Sequence, residues 1–212
     1  MDIIYLITGF LIAYILGSIP TAVWIGQWFY GIDVRKKGSG NAGATNTIRV
    51  LGWNAGVPVF LLDIFKGFFA VWIMLFFIPA GWDNDLKIYI QILAGIFAVT
   101  GHALPVFAGF KGGKGVATLF GAGIALYGWA ILVPLFVFLI VIAITKYVSL
   151  GSILGSISFP IAVIFIFQIT HPGLIGLAVF AAMFILWTHR KNIVRLFKGE
   201  ENRFSSTKKE KS

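Results

Sequence analysis

The sequence predicts an all-α fold: a polytopic membrane helix bundle of about seven transmembrane helices, N-terminus out and C-terminus cytoplasmic. Three observations predict it. The 212 residues are 58% hydrophobic and 12% charged, where soluble domains carry roughly 25% charged residues, and the mean hydropathy is +0.92. Charge-free stretches recur near the length of about 20 residues that crosses the hydrocarbon core. Lysines and arginines gather in alternate loops, as cytoplasmic loops do.

The first span is expected over 3–25. It is too long for a signal peptide and lacks a basic leader or small-residue cleavage site, so it reads as a retained span. Pro20 should kink it, because proline removes a helix hydrogen bond that neighbouring helices then compensate. The second and third spans are expected over 57–78 and 88–107, joined by the polar connection "PAGWDNDLK".

The interval 115–145 carries no charge over roughly 31 residues, about 46 Å as one helix, which is too long for one upright span and short for two. Orientation decides between them. With Arg35, Lys36, Lys37 and Arg49 inside, the N-terminus and "PAGWDNDLK" are outside and Lys111 and Lys114 inside. A single crossing would leave the basic tail from Arg190 outside, whereas a turn at "LYGW" returns it and Lys146 to the cytoplasm. The last interval divides at "THPG" into 153–169 and 174–187, leaving Lys87 as the one outside cation. Residues 1–204 read as a single integral membrane domain, and 205–212 as a polar, disordered tail.

With no cysteine, disulfides, thiolate nucleophiles and cysteine metal sites are excluded. The net charge of +9 follows from basic cytoplasmic loops, and no basic patch alternates with exposed aromatics, so a nucleic-acid partner is excluded.

Four polar segments share the cytoplasmic face of this topology: "DVRKKGSGNAGATNTIR", "GHALPVFAGFKGGKG", "KYVSLGS" and "THRKNIVRLFKG". In the first, Gly38, Gly40 and Gly43 let the backbone take positive φ and approach a ligand. Amide groups freed at a helix start form an anion cradle. Ser39, Asn41, Thr45 and Asn46 add donors, and Arg49 a planar fork suited to phosphate. The plainer alternative is a flexible loop with Thr45 or Asn46 as a helix cap. "GFKGGKGVAT" departs from the P-loop pattern: Lys114 is followed by Gly115, not Ser or Thr, and Ala108 takes the first glycine position. A nucleotide triphosphatase is therefore disfavoured. Gly112, Gly113 and Gly115 still offer amides at a helix entry, with Lys111 and Lys114 bringing charge to a phosphate. The same two lysines also satisfy the positive-inside pattern without any ligand.

Of the three histidines, His171 is expected to be solvated in an outside turn. His102, beside Gly101 and before Pro105, fits a hydrogen-bonded structural role or a substrate contact. His189 is the best candidate for chemistry, with Asn192 one helical turn on. Asp63 and Lys66, three apart inside the second span, can pair on one face, as structure or as function.

The segments "LGSIPTA", "GSGNAGATN", "GHALPVFAGFKGGKGVAT", "KYVSLGS" and "HRKNIVRLFKGEE" resemble the bacterial acyl-phosphate-dependent glycerol-3-phosphate acyltransferases, the PlsY family, in the family's order and over nearly the whole chain. The resemblance implies an inner-membrane enzyme that moves a fatty acyl group from acyl phosphate to the 1-hydroxyl of glycerol 3-phosphate, giving lysophosphatidic acid. It implies an essential serine and arginine at Ser39 and Arg49, glycerol 3-phosphate binding at Gly112, Gly113 and Lys114, and a family serine at Ser149. It also implies a histidine and an asparagine at His189 and Asn192, and a structural glutamate at Glu201. The chain reads "HRKN" where the family commonly has "HREN", so Lys191 replaces a carboxylate.

Both substrates of such a reaction carry phosphate and one carries a lipid tail, which suits anion cradles beside an apolar bundle. Acyl phosphate is a mixed anhydride with a good leaving group, so positioning and charge stabilisation suffice, with no metal and no cofactor. The expected step is direct attack by the glycerol hydroxyl, its proton passing to His189 or to a substrate phosphate oxygen. Ser39 reads as an oxyanion or phosphate donor and not a nucleophile. Acyltransferases of the H-x-x-x-x-D type are excluded, since Phe107, Gly176 and Val194 follow the three histidines by five. The alternative is an organic-anion or phosphate transporter, whose site would sit near the membrane midplane. A structural scaffold would leave the glycine loops unexplained.

Overall fold

A computed structural model describes residues 2–79 and 81–204. The expected tail, 205–212, lies outside the described residues. Every regular element among the described residues is helical. Four helices are long and apolar enough to cross a membrane, or up to six if two bent pairs each count as one span. The chain divides into two compact units, one drawn from Met1–Trp129 and His171–Leu177, the other from Ala130–Thr170 and Ala178–Ser212.

The first unit starts with α1 (Asp2–Ser18) and α2 (Thr21–Tyr30), bent by 44°. Pro20 stands at the break, as its missing N–H predicts. The helical path runs to Tyr30, past the expected end at 25, and stops where Gly31 turns left-handed at φ 64°. α3 (Ala44–Leu51) is a short amphipathic helix, and α4 (Trp53–Ile73) follows Gly52. α5 (Asn84–Ala103) begins four residues before the expected 88, because the Asp83 carboxylate accepts the Asp85 N–H at 2.9 Å and caps it. α6 (Val116–Tyr127) ends at Gly128, φ 53°. The helix of 115–145 is thus interrupted inside "LYGW".

Small residues let these helices approach closely, the usual solution where lipid supplies no hydrophobic drive between helices. A Cβ on Gly17 of α1 would collide with the Ala98 carbonyl of α5. One on Gly67 of α4 or Gly121 of α6 would strike, respectively, the Thr118 and Ile64 carbonyls of the facing helix. Ala13, Ala70, Met74, Ala94 and Ala98 form the adjoining buried core. Along α4 and the 3-10 turn Met74–Phe76 that follows it, the rings of Phe65, Phe69, Trp72 and Phe76 touch in succession, stacked, tilted and edge-on, and Phe65 and Phe76 are well exposed, as a lipid-facing stripe requires. His171 differs from expectation: its side chain is only 12% exposed, with its ring against Tyr89.

The second unit contains α7 (Leu132–Thr145) and α8 (Val148–Ile161), the latter extended by a π-turn over Ala162–Ile166. α9 (Pro172–Thr188) begins in the first unit and ends in the second, where it meets α10 (Arg190–Phe197) at a 60° bend. The Gly155 position of α8 would put a Cβ 2.8 Å from the Pro134 carbonyl of α7, again a close small-residue contact.

Candidate active-site segments

In the first unit, two glycine-bearing loops meet at the starts of α3 and α6. Gly38 and Gly40 take positive φ, 60° and 74°, where a side chain would be strained. Gly43, expected to do the same, is extended at φ −132°; a Cβ there would meet the Asn41 side-chain oxygen at 2.8 Å. The loop is organised by Asn46, which is 2% exposed. Its Oδ1 accepts the Ser39 N–H at 2.8 Å, while Nδ2 donates to the carbonyls of Val34, Asn41 and Lys37 at 2.8, 3.0 and 3.2 Å. The Asn46 amide hydrogens, expected to serve a phosphate, are directed at the loop's own backbone. Neither Thr45 nor Asn46 is the cap of α3, since both lie within it.

Asp33 and Arg35 tie this loop to the next. The Arg35 guanidinium pairs with the Asp33 carboxylate at 2.9 Å and donates from Nη1 to the Ala108 carbonyl at 2.8 Å. Hydrogen bonding from Arg35 holds the Asp33 carboxyl below its ordinary pKa, against a smaller opposing effect of burial.

The second loop leads from α5 to α6. Gly112 and Gly113 were expected to offer their N–H groups to an anion; instead these donate at 3.2 Å to the carbonyls of Ala103 and His102. Neither takes positive φ among the described residues. They are glycine because a Cβ at 112 would overlap the His102 carbonyl, and one at 113 the His102 ring. Gly115 does carry positive φ, 79°, and precedes α6. The two loops touch where a Cβ on Gly113 would stand 3.1 Å from the Ala42 carbonyl.

Neither α3 nor α6 has a side-chain cap. Their first N–H groups therefore keep the partial positive charge of a helix start. Next to these starts Ser39 and Lys111 are exposed and Thr45 and Lys114 half-buried, while Arg49, also exposed, lies in the last turn of α3. This junction can receive a phosphate.

Beneath it lies a buried polar cluster. Asp63 Oδ1 accepts the Thr21 hydroxyl at 2.6 Å and pairs with Lys66 Nζ at 2.8 Å, the i,i+3 pair the sequence suggested. Lys66 also donates to the Ile19 carbonyl at the α1–α2 break, 3.0 Å, and His102 Nδ1 stands 3.6 Å from the same Asp63 oxygen. The inclusion of Thr21 and His102 was not legible, since it depends on contacts between separate helices.

In the second unit, Glu201 gathers three of the residues singled out in sequence or their neighbours. Ser149 Oγ and Asn192 Nδ2 donate to its Oε1 at 2.9 and 2.7 Å, and Arg195 Nε to its Oε2 at 2.8 Å. Burial acts to raise the Glu201 pKa, but the hydrogen bonds from Asn192, Arg195 and Ser149 outweigh it and hold the carboxyl below its ordinary value. His189 is buried at the α9–α10 bend, and its Nδ1 lies 2.9 Å from the Ile185 carbonyl. A carbonyl can only accept, so Nδ1 carries the proton and Nε2 is the basic nitrogen. Among the described residues no three of His, Asp and Glu are grouped to hold a metal ion.

A helical membrane protein whose glycine loops present two uncapped helix starts and lysines is, by class, an integral membrane protein built to handle a phosphorylated ligand. Comparison makes this specific. Residues 7–199 match the model of the glycerol-3-phosphate acyltransferase family, and the chain belongs to that family. Glycerol-3-phosphate acyltransferase of Chlorobaculum tepidum is 42% identical, over 93% of this chain and 96% of its own. That of Listeria monocytogenes is 43% identical, over 90% and 92%. The crystal structure of PlsY, an integral membrane glycerol 3-phosphate acyltransferase, in its glycerol 3-phosphate form is 38% identical, with TM-score 0.82 over 95% of this chain and 96% of that one. Its lysophosphatidic acid form gives 37% and 0.79.

Proposed function

We propose that this chain uses an acyl phosphate as donor and acylates the sn-1 hydroxyl of glycerol 3-phosphate. Acyl transfer to glycerol 3-phosphate, giving lysophosphatidic acid, is the activity of the family. The observation that carries the reading is the junction of the uncapped α3 and α6 starts beside Lys114. In the reaction the hydroxyl oxygen attacks the acyl carbon, the carbon–oxygen bond to phosphate breaks, and phosphate leaves with the electron pair.

The residues take the following roles. Lys114 and Lys111, with the amides at the start of α6, bind phosphate, and Gly112 and Gly113 shape that segment. Arg49, Thr45 and the amides at the start of α3 hold anionic oxygens, and Ser39 donates to a phosphate or oxyanion. Gly38, Gly40, Asn41, Gly43 and Asn46 give the first loop its shape. Asn192, set by Glu201, acts with His189 as a catalytic residue, and Ser149, set by the same carboxylate, is a further substrate-binding group. The proton goes to His189 Nε2 or to a substrate phosphate oxygen. Preorganised donors of this kind commonly supply the largest share of acyl-transfer catalysis.

With the two bent pairs each taken as one span and the helical run Val116–Thr145, interrupted at Gly128, taken as two, the chain crosses the membrane about seven times, N-terminus out, with the site on the cytoplasmic face of a bacterial inner membrane. Residues 1–204 act as one acyltransferase domain. The basic loops support this orientation, and the family match across both units supports the single domain.

The test is purified protein with acyl phosphate and glycerol 3-phosphate, scored for equimolar lysophosphatidate and phosphate, with acyl-CoA in parallel. Product from acyl-CoA alone overturns the donor assignment. An acyl-serine trapped at Ser39 by rapid quench overturns its non-covalent role.

A further inference from the structure

The reaction as assigned makes no use of the buried cluster of Thr21, Asp63, Lys66 and His102. All four are nine-tenths or more buried, at 7, 1, 4 and 6% exposure. Charged side chains inside membrane helices are costly and are retained where they do something specific. Lys66 has an evident structural duty, satisfying the Ile19 carbonyl at the break that Pro20 causes. The same Asp63 oxygen that pairs with Lys66 and accepts the Thr21 hydroxyl also stands 3.6 Å from His102 Nδ1, so the cluster reaches beyond that duty to the His102 ring.

The Asp63 carboxylate beside Nδ1 of His102 favours the ring tautomer with its proton on that nitrogen, as carboxylates do for functional histidines. The opposite edge, Nε2, faces Gly113, where any Cβ would overlap it. On the main chain, the carbonyls of His102 and Ala103 take the N–H groups of Gly113 and Gly112. His102 therefore grips the glycine segment by ring and by backbone, immediately before Lys114.

We propose that Asp63 and His102 are positioning residues for acyl transfer. Asp63 sets the His102 ring, His102 sets Gly112–Gly113, and that segment aims the Lys114 ammonium at the phosphate of glycerol 3-phosphate. The proposal rests on the reading of this segment as the glycerol 3-phosphate site. A cluster that merely held α2, α4 and α5 together would affect both substrates alike.

The experiment measures KM for glycerol 3-phosphate and for acyl phosphate separately, with the purified full chain. His102→Ala and Asp63→Asn are each expected to raise KM for glycerol 3-phosphate about tenfold while kcat and the other KM stay within about twofold. The double variant should fall well short of the product of the single effects, as for residues acting in series. Thr21→Val removes one donor to Asp63 and preserves shape; it should move the same KM in the same direction, and keeps the test decisive if the other variants do not fold. Parallel changes in both KM values, a loss in kcat alone, or full additivity overturns the proposal. Lys114→Ala separates the two claims. If it leaves KM for glycerol 3-phosphate unchanged, the phosphate-site reading itself fails; if it raises that KM and the cluster variants do not, only the positioning claim falls.

Discussion

The side-chain oxygen of Asn46 accepts the backbone N–H of Ser39 at 2.8 Å, while its amide hydrogens are shared among three carbonyls of the same loop. One buried amide thus fixes the glycine turns at 38 and 40 against α3. Asn46→Asp keeps the acceptor for Ser39 but sets a carboxylate against the carbonyls of Val34, Lys37 and Asn41. Each buried polar group left unsatisfied costs about 1–3 kcal/mol. Asn46→Asp should therefore lower kcat/KM at least as far as Asn46→Ala, by about 100-fold. Steady-state kinetics on both variants checks the order.

Arg49→Ala should impair use of a phosphorylated substrate more than Lys36→Ala, although both are exposed cations of the same region. Arg49 stands in the last turn of α3, the helix that the first glycine loop leads into, whereas Lys36 lies in the short turn over Val34–Lys36. Loss of a charge-assisted contact to phosphate predicts about a tenfold or greater drop in kcat/KM for Arg49→Ala, and near wild-type kinetics for Lys36→Ala. Equal effects would count against a phosphate role for Arg49.

Glu201 predicts a pH dependence of stability. Hydrogen bonds from Asn192, Arg195 and Ser149 hold its folded carboxyl below the ordinary value, so the folded state favours the ionised form. The stabilisation is fully present above the unfolded value and is lost as pH falls through the folded one. Glu201→Gln should lower the thermal midpoint of the detergent-solubilised protein at neutral pH. The gap from wild type should narrow below about pH 4. A gap that stays constant across that range would show that the carboxylate charge contributes nothing.

How much of this was legible in sequence varied with the range of the interaction. The break at Pro20 and the left-handed turns at Gly38 and Gly40 follow from local chemistry, and the structure has them there. α5 starts before a charge-free window predicts, because such a window ignores the Asp83 cap, although "DND" carries that signal. Loop glycines suggest left-handed or amide-exposing positions; Gly43 is extended, and Gly112 and Gly113 are neither. At 112 and 113 the reason for glycine is contact with His102, which is tertiary and has no signature in a glycine, and at 43 it is the side chain of Asn41 two residues back. Asn46 was read as a ligand donor for the same reason: a polar residue in a loop looks alike whether it faces a substrate or the loop's own carbonyls.

His189 decides between two proton acceptors. Its Nδ1 is committed to the Ile185 carbonyl, which leaves Nε2 as the nitrogen able to take a proton. If His189 is the base, kcat/KM rises with pH through a histidine ionisation, and His189→Gln, which keeps hydrogen-bonding capacity without basicity, loses about 100- to 10,000-fold together with that limb. If a substrate phosphate oxygen takes the proton, His189→Gln loses much less and the limb persists, since it then reports the second ionisation of the phosphate. Repeating the profile with a phosphonate analogue of glycerol 3-phosphate, whose second pKa is higher, distinguishes the two. The limb moves with the analogue in the substrate-assisted case and stays in place when the histidine is the base.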